Sequence, residues 1–181
     1  MTTARIEKGL DRRSFLRKTA AGAGGLLIGF YLPSRSRLKA DTAEAKLNAF
    51  VHVSADDYVT LFIHKAEMGQ GTVTSLSMLL AEELEIELSR VKVVAAPVGD
   101  PYVNVLNGGQ VTGTSNSVQD AWEKLRKAGA QARMMLIAAA AQRWHVKPSD
   151  CQAHDGRVNS AQGKTASYGE LAEAASKLPV P

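Results

Sequence analysis

Cysteine is almost missing from this 181-residue chain: Cys151 stands alone, so neither an internal disulfide nor a cysteine-based metal site can form within one copy. It reads as a small, partly buried thiol. No run of about 20 apolar residues exists to span a membrane with assurance. After residue 41 there are no repeats and no low-complexity tract. Net positive charge is also missing outside one segment. Residues 1–40 hold nine lysines and arginines against Glu7 and Asp11, whereas the whole chain is only +4, so the remainder is net acidic by three charges. Nucleic-acid binding thereby loses its electrostatic support, and none is expected.

Residues 1–40 are distinctive. Arg12 and Arg13 precede Ser14-Phe15-Leu16-Arg17-Lys18, and a weakly apolar run follows from Thr19 to Leu32. That order resembles a twin-arginine export signal with its h-region and linker. A helix with a solvated basic face is the plain alternative. Export by this route implies a periplasmic protein and commonly one that folds around a cofactor first. A clean A-x-A cleavage motif is also lacking near the run, the nearest being Ala43-Glu44-Ala45, so an uncleaved leader anchored at the inner membrane stays open.

Residues 41–181 read as one α+β domain. Period-two alternation in "NAFVHVS" and "YVTLFIH", parted by Ala55-Asp56-Asp57, predicts a β-hairpin. From Thr72 to Glu85, Leu76, Leu79, Leu80 and Leu84 recur at helical spacing, with Glu82, Glu83 and Glu85 on a solvated face. "RVKVVAAPV" reads as a third strand ending at Pro97. The loop from Gly99 to Gly113 is long enough to suggest a functional segment. A long alanine-rich helix is expected over roughly Ser115 to His145, with Met134 and Met135 in the core and Gly129 bending it or admitting a neighbour. A hairpin turning at Asp155-Gly156 and a capping box, Ser167-x-x-Glu170, close the chain. The expected architecture is a mixed sheet with one long helix and two shorter ones.

Chemistry concentrates at two glycine-rich turns, each opening a helix. In "HKAEMGQGTVTS", Gly69-Gln70-Gly71 joins a strand to a helix start, where unpaired amides and the helix dipole favour an anion. Familiar phosphate loops fail on residue count: no lysine follows Gly71, and Thr74 stands where a dinucleotide fingerprint needs glycine. An ordinary structural turn is an equal reading. In "NGGQVTGTSNS", Thr112, Thr114, Ser115 and Ser117 crowd a helix start, and capping accounts for only one of four hydroxyls. Neither loop contains a cation, which points to a ligand gripped by backbone and amide dipoles. His64, His52, His145 and His154 lack partners at ligand spacing, so no metal site is expected.

"EMGQGTVTSLSMLLAEELEIELSRVKVVAAPV", "GGQVTGTSNSVQDAWEKLRKAGAQAR" and "MMLIAAAAQRWHV" together resemble the molybdenum-binding large subunit of the xanthine dehydrogenase/aldehyde oxidase family, in its exported isoquinoline 1-oxidoreductase beta-subunit branch. The resemblance covers essentially the whole chain. It implies a molybdopterin-binding-domain-like fold and a molybdopterin cofactor, in bacteria commonly the cytosine dinucleotide. Gly69, Gln70 and Gly71 match that family's first cofactor loop, and Thr114, Ser115 and Ser117 the second. Gln110 is a further candidate by position. The resemblance also implies oxidation of aldehydes or N-heterocycles by a metal-bound hydroxide with a glutamate as base. Electrons would leave through a [2Fe-2S] small subunit, onward to a c-type cytochrome. Family large subunits are several hundred residues longer, with their base near the far end, so no catalytic residue is assigned here. Glu67 is expected to orient its loop rather than act as that base. The remainder of a large subunit is the implied partner, and a non-catalytic exported binding or structural module is the rival reading.

Overall fold

The computed structural model describes residues 45–181, which fall within one compact unit, residues 42–181. Arg12, Arg13 and the rest of the segment expected to be an export leader lie outside the described residues.

Strand β1 (Ala45–Lys46) pairs antiparallel with β2 (Val51–Val53), and β2 with β3 (Val59–Ile63) in the expected hairpin, Val53 opposite Val59. The turn between β2 and β3 places Asp57 in the left-handed region at φ 66°, where an aspartate is tolerated. Helix α1 (Thr72–Leu84) follows, and β4 (Val91–Ala95) returns parallel to β3, completing a β–α–β crossover. The sheet order is β1-β2-β3-β4. Strand β4 is therefore a rim. Its successive side chains face opposite sides, and both Val93 and Val94 are exposed.

Helix α2 (Ser117–Trp144) runs 28 residues. Its buried line of Ala121, Leu125, Ala128, Ala132, Leu136 and Ala139 meets the Leu76, Leu80 and Leu84 stripe of α1. Small residues allow the two axes to approach closely, and Gly129 marks the tightest point: a Cβ there would lie 2.7 Å from the Leu80 carbonyl oxygen and 2.9 Å from Glu83 Cβ. Of the two sequence alternatives for Gly129, admitting a neighbour is the one observed. Met135 is core as expected. Met134 is not; it is 53% exposed, because it sits a 100° step round the helix from its buried neighbour.

Strands β5 (Cys151–His154), β6 (Arg157–Ser160) and β7 (Thr165–Ser167) form a second, antiparallel sheet. The expected turn is present, with Asp155 and Gly156 both left-handed. The short β7 carried too little pattern to be read. Helix α3 (Tyr168–Ser176) opens on the predicted capping box: Ser167 accepts from the Glu170 amide while the Glu170 carboxylate accepts from the Ser167 amide. Tyr168 is fully buried and donates to the Leu84 carbonyl at 2.6 Å, tying α3 to the end of α1. The domain is thus α+β, with three helices and two small sheets instead of one.

Candidate functional site

The turn at residues 66–71 satisfies itself. Glu67 Oε1 accepts from the Gly69 amide at 2.7 Å and the Gly71 amide at 3.0 Å, and Oε2 accepts from Val73 N at 2.9 Å. The amides expected to point outward at a ligand are held by the protein's own carboxylate. Hydrogen bonds from Val73 and Gly71, with smaller help from Gly69 and Gln70, keep the Glu67 carboxyl below its ordinary range. Glu67 therefore orients the loop, as the sequence suggested. The expectation of freed amides is corrected: a carboxylate two residues ahead of Gly69 outcompetes water for the start of α1.

Gln70 folds over the same turn. Its Oε1 accepts from Met68 N at 2.6 Å and its Nε2 donates to the Ala66 carbonyl at 2.8 Å. One amide hydrogen and one oxygen lone pair remain for anything outside. Gly69 and Gly71 take φ of 93° and 78°, a region only glycine enters freely.

The second segment is built around asparagines. Asn104 pairs with Gly109 in an isolated bridge, its Nδ2 donates to Asn116 Oδ1 at 2.9 Å, and Asn116 Nδ2 donates to Asn107 Oδ1. Asn104 is fully buried. Capping departs from expectation, since α2 starts at Ser117 behind Asn116, and no side chain caps it. The hydroxyls have other tasks. Thr112 Oγ1 accepts from Ala66 N at 2.8 Å, and Thr114 Oγ1 accepts weakly from Asn107 Nδ2 at 3.4 Å. Gln110 donates to the Ala96 carbonyl at a similarly long 3.4 Å. Thr114 and Ser115 are both exposed and both left-handed, at φ 52° and 55°. Two consecutive non-glycine residues there store about 1–2 kcal/mol each.

The two segments are joined side by side. Besides the Ala66–Thr112 bond, Lys65 Nζ donates to the Val111 carbonyl at 3.1 Å. Lys65 is 5% exposed, and its charge is met by Asp120 Oδ2 at 2.9 Å. Asp120, in the first turn of α2, also takes Lys124 Nζ at 2.7 Å, His64 Nε2 at 3.2 Å and Val105 N at 3.0 Å. Burial opposes ionisation of Asp120, but bonds from Lys124, Lys65, Val105 and His64 prevail and hold it far below the usual carboxylate range. Burial pushes the His64 imidazole down, against the pull of Asp120. A carboxylate only accepts, so Nε2 carries the hydrogen; Nδ1 is left as a buried acceptor with no bonding partner. Two lysines, one aspartate and a neutral histidine leave the group one positive charge in excess. Sequence reading found no cation within either loop and missed this cluster beneath them, whose members lie up to 60 residues apart.

Room exists above both turns. A Cβ placed on Gly69, Gly71, Gly108 or Gly113 meets no atom within 4 Å. Among the described residues no group of three or more His, Cys, Asp or Glu could hold a metal ion. Ser117 lies half-buried as the first residue of α2, two positions after the exposed Ser115.

Residues 7–180 match the molybdopterin cofactor-binding domain family. The chain belongs to that family. It is 36% identical over 172 residues to isoquinoline 1-oxidoreductase subunit beta of Brevundimonas diminuta, an alignment that takes in 90% of this chain and 22% of the relative. It is 32% identical over 175 residues to the membrane-bound aldehyde dehydrogenase [pyrroloquinoline-quinone] of Gluconacetobacter polyoxogenes, covering 92% of this chain and 22% of that one. In fold it is similar to quinoline 2-oxidoreductase from Pseudomonas putida 86, with a TM-score of 0.53 at 23% identity over 71% of this chain and 16% of the other. This chain thus spans about a fifth of the length of these relatives. Membership supports a molybdenum cofactor.

Proposed function

We propose that this chain is the N-terminal, cofactor-gripping part of an exported molybdenum oxidoreductase that oxidises aldehydes or N-heterocycles. The observation that carries the reading is the family match across nearly the whole chain, with two adjoining turns over which added atoms find open space. The cofactor is taken as molybdopterin cytosine dinucleotide, held by Gly69, Gln70, Gly71, Gln110, Thr114, Ser115 and Ser117. With the helix-start amides occupied by Glu67, the grip falls to the spare valences of Gln70 and Gln110, the Thr114 and Ser115 hydroxyls, and outward carbonyls. The group, when bound, supplies Lewis-acid and redox chemistry; these residues bind and orient it. Partners are the remainder of a large subunit, a [2Fe-2S] small subunit and a c-type cytochrome. Exposed Val93 and Val94 on the β4 rim favour further polypeptide against that sheet.

The test is composition. Full-length chain from a cofactor-making host should carry molybdenum and pterin, and folded material with neither would refute the reading. The same extract, searched for pyrroloquinoline quinone, tests the cofactor printed in one relative's name. Gln70→Ala with Gly71→Val should lose pterin. Gly113→Val is the cleaner variant, because Gly113 lies outside the left-handed region and its Cβ meets nothing. Replacing Arg12 and Arg13 by lysine should stop export to the periplasm, and normal export would refute the leader.

A further inference from the structure

We infer that Lys65 and Asp120 form a buried clasp that sets the position of one loop against the other, making both positioning residues for whatever the loops hold. The cofactor half of this inference rests on the proposed function; the clasp itself does not.

Three observations converge on it. Both side chains are wholly inaccessible, at 0% exposure. Burying a carboxylate and an ammonium is costly, and only full partnering makes it tolerable. The bonds made by the pair reach into both loops. Lys65 emerges directly after β3 and reaches the Val111 carbonyl; Asp120 takes the Val105 amide; Lys124 bridges Asp120 to the Val103 carbonyl at 2.5 Å. Asp120 thus holds residues 64, 65 and 105 directly, and through its two lysines the carbonyls of Val103 and Val111. Hydrophobic packing does not explain this, since Val105 and Val111 are themselves exposed. Nor does α2 need Asp120 as a cap, because that residue lies inside the helix. What the cluster does is hold two otherwise solvent-facing turns in register.

Lys65→Met is the test in the full-length chain. It keeps a straight side chain, removes both Lys65 bonds, and leaves Asp120 with Lys124, His64 and Val105. Amide exchange at Ala66 and Val105 should quicken by about tenfold while Leu80 and Leu136 stay unchanged, and pterin per chain should fall by about tenfold. Thr112→Val cuts the Ala66 bond without touching buried charge, and serves should Lys65→Met fail to fold. Tyr168→Phe, whose lost bond lies at the C-terminal end of α1, is the control for global destabilisation. Unaltered loop exchange in both loop variants would overturn the clasp. Faster exchange with wild-type pterin content would overturn the positioning role, as would an equal pterin loss in Tyr168→Phe. A wild-type chain without pterin would sink the proposed function instead, and loop exchange would still decide the clasp.

Discussion

Gly129→Ala puts a single methyl group where two helices touch, and its sign separates two opposed effects. Alanine favours a helix interior over glycine by about 1 kcal/mol. Against this, the new Cβ would sit 2.7 Å from the Leu80 oxygen, 2.9 Å from Glu83 Cβ and 3.3 Å from Leu84 N. Two of the three are main-chain atoms of α1, which cannot rotate away as a side-chain tip would. Relief requires α1 and α2 to part by roughly half an ångström or more, along the seam where Leu76, Leu80 and Leu84 are sealed. Overpacking of this kind costs about 1–3 kcal/mol. The clash outweighs the helix gain by a net of up to about 2 kcal/mol, lowering the melting temperature by up to several degrees at roughly 3–5 °C per kcal/mol for a domain of this size. Urea titration followed by tryptophan fluorescence should show a lower midpoint with the slope unchanged. A midpoint above wild type would refute the close-approach argument and return Gly129 to the role of a bend.

Tyr168→Phe leaves the buried Leu84 carbonyl without its donor, so a loss of about 1–3 kcal/mol is expected by chemical denaturation; a neutral result would mean that water replaces the hydroxyl. Ser115→Gly relieves a left-handed residue and should raise stability by up to about 1 kcal/mol after the entropy of an added glycine is subtracted, while pterin content falls. Stability unchanged or reduced would contradict the strain. For Glu67 the folded carboxyl is depressed, so its contribution is complete above the unfolded value of about 4.3 and fades as pH falls through the lower folded one. The stability gap between wild type and Glu67→Gln, followed by melting from pH 7 to 3, should hold level to about pH 5 and close below it; a gap that widens on acidification would reverse the assignment.

Much of the fold was legible because its signals are local. The Leu76–Leu80–Leu84 stripe, the Asp155-Gly156 turn and the Ser167–Glu170 box each act within one or two turns of chain, where spacing reports geometry. The site was legible only in part. Gly69 and Gly71 announced an unusual turn, yet the occupant of its amides, Glu67, lay in plain view two residues earlier. An acid placed just ahead of a helix start was the available clue. The Lys65–Asp120 pair could not be read, since 55 residues separate the partners and no periodicity links them. Lys124 misleads in the same way: at i+4 from Asp120 it has the look of a surface pair, whereas tertiary packing turns it toward the Val103 carbonyl. The start of α2 slipped from Ser115 to Ser117 because Thr114 and Ser115 adopt a backbone that composition gives no reason to expect.

Strand β4 has one bonded margin and one open margin, and aliphatic side chains on either surface. A ribbon so arranged is a template for any extended chain it meets, native or foreign. Concentration is therefore a variable to control in every measurement on the isolated domain, with edge-to-edge strand addition expected in crowded samples. In a longer subunit the same margin would be closed by its own polypeptide, and the timing of that closure would decide whether synthesis ends in an enzyme or in a precipitate.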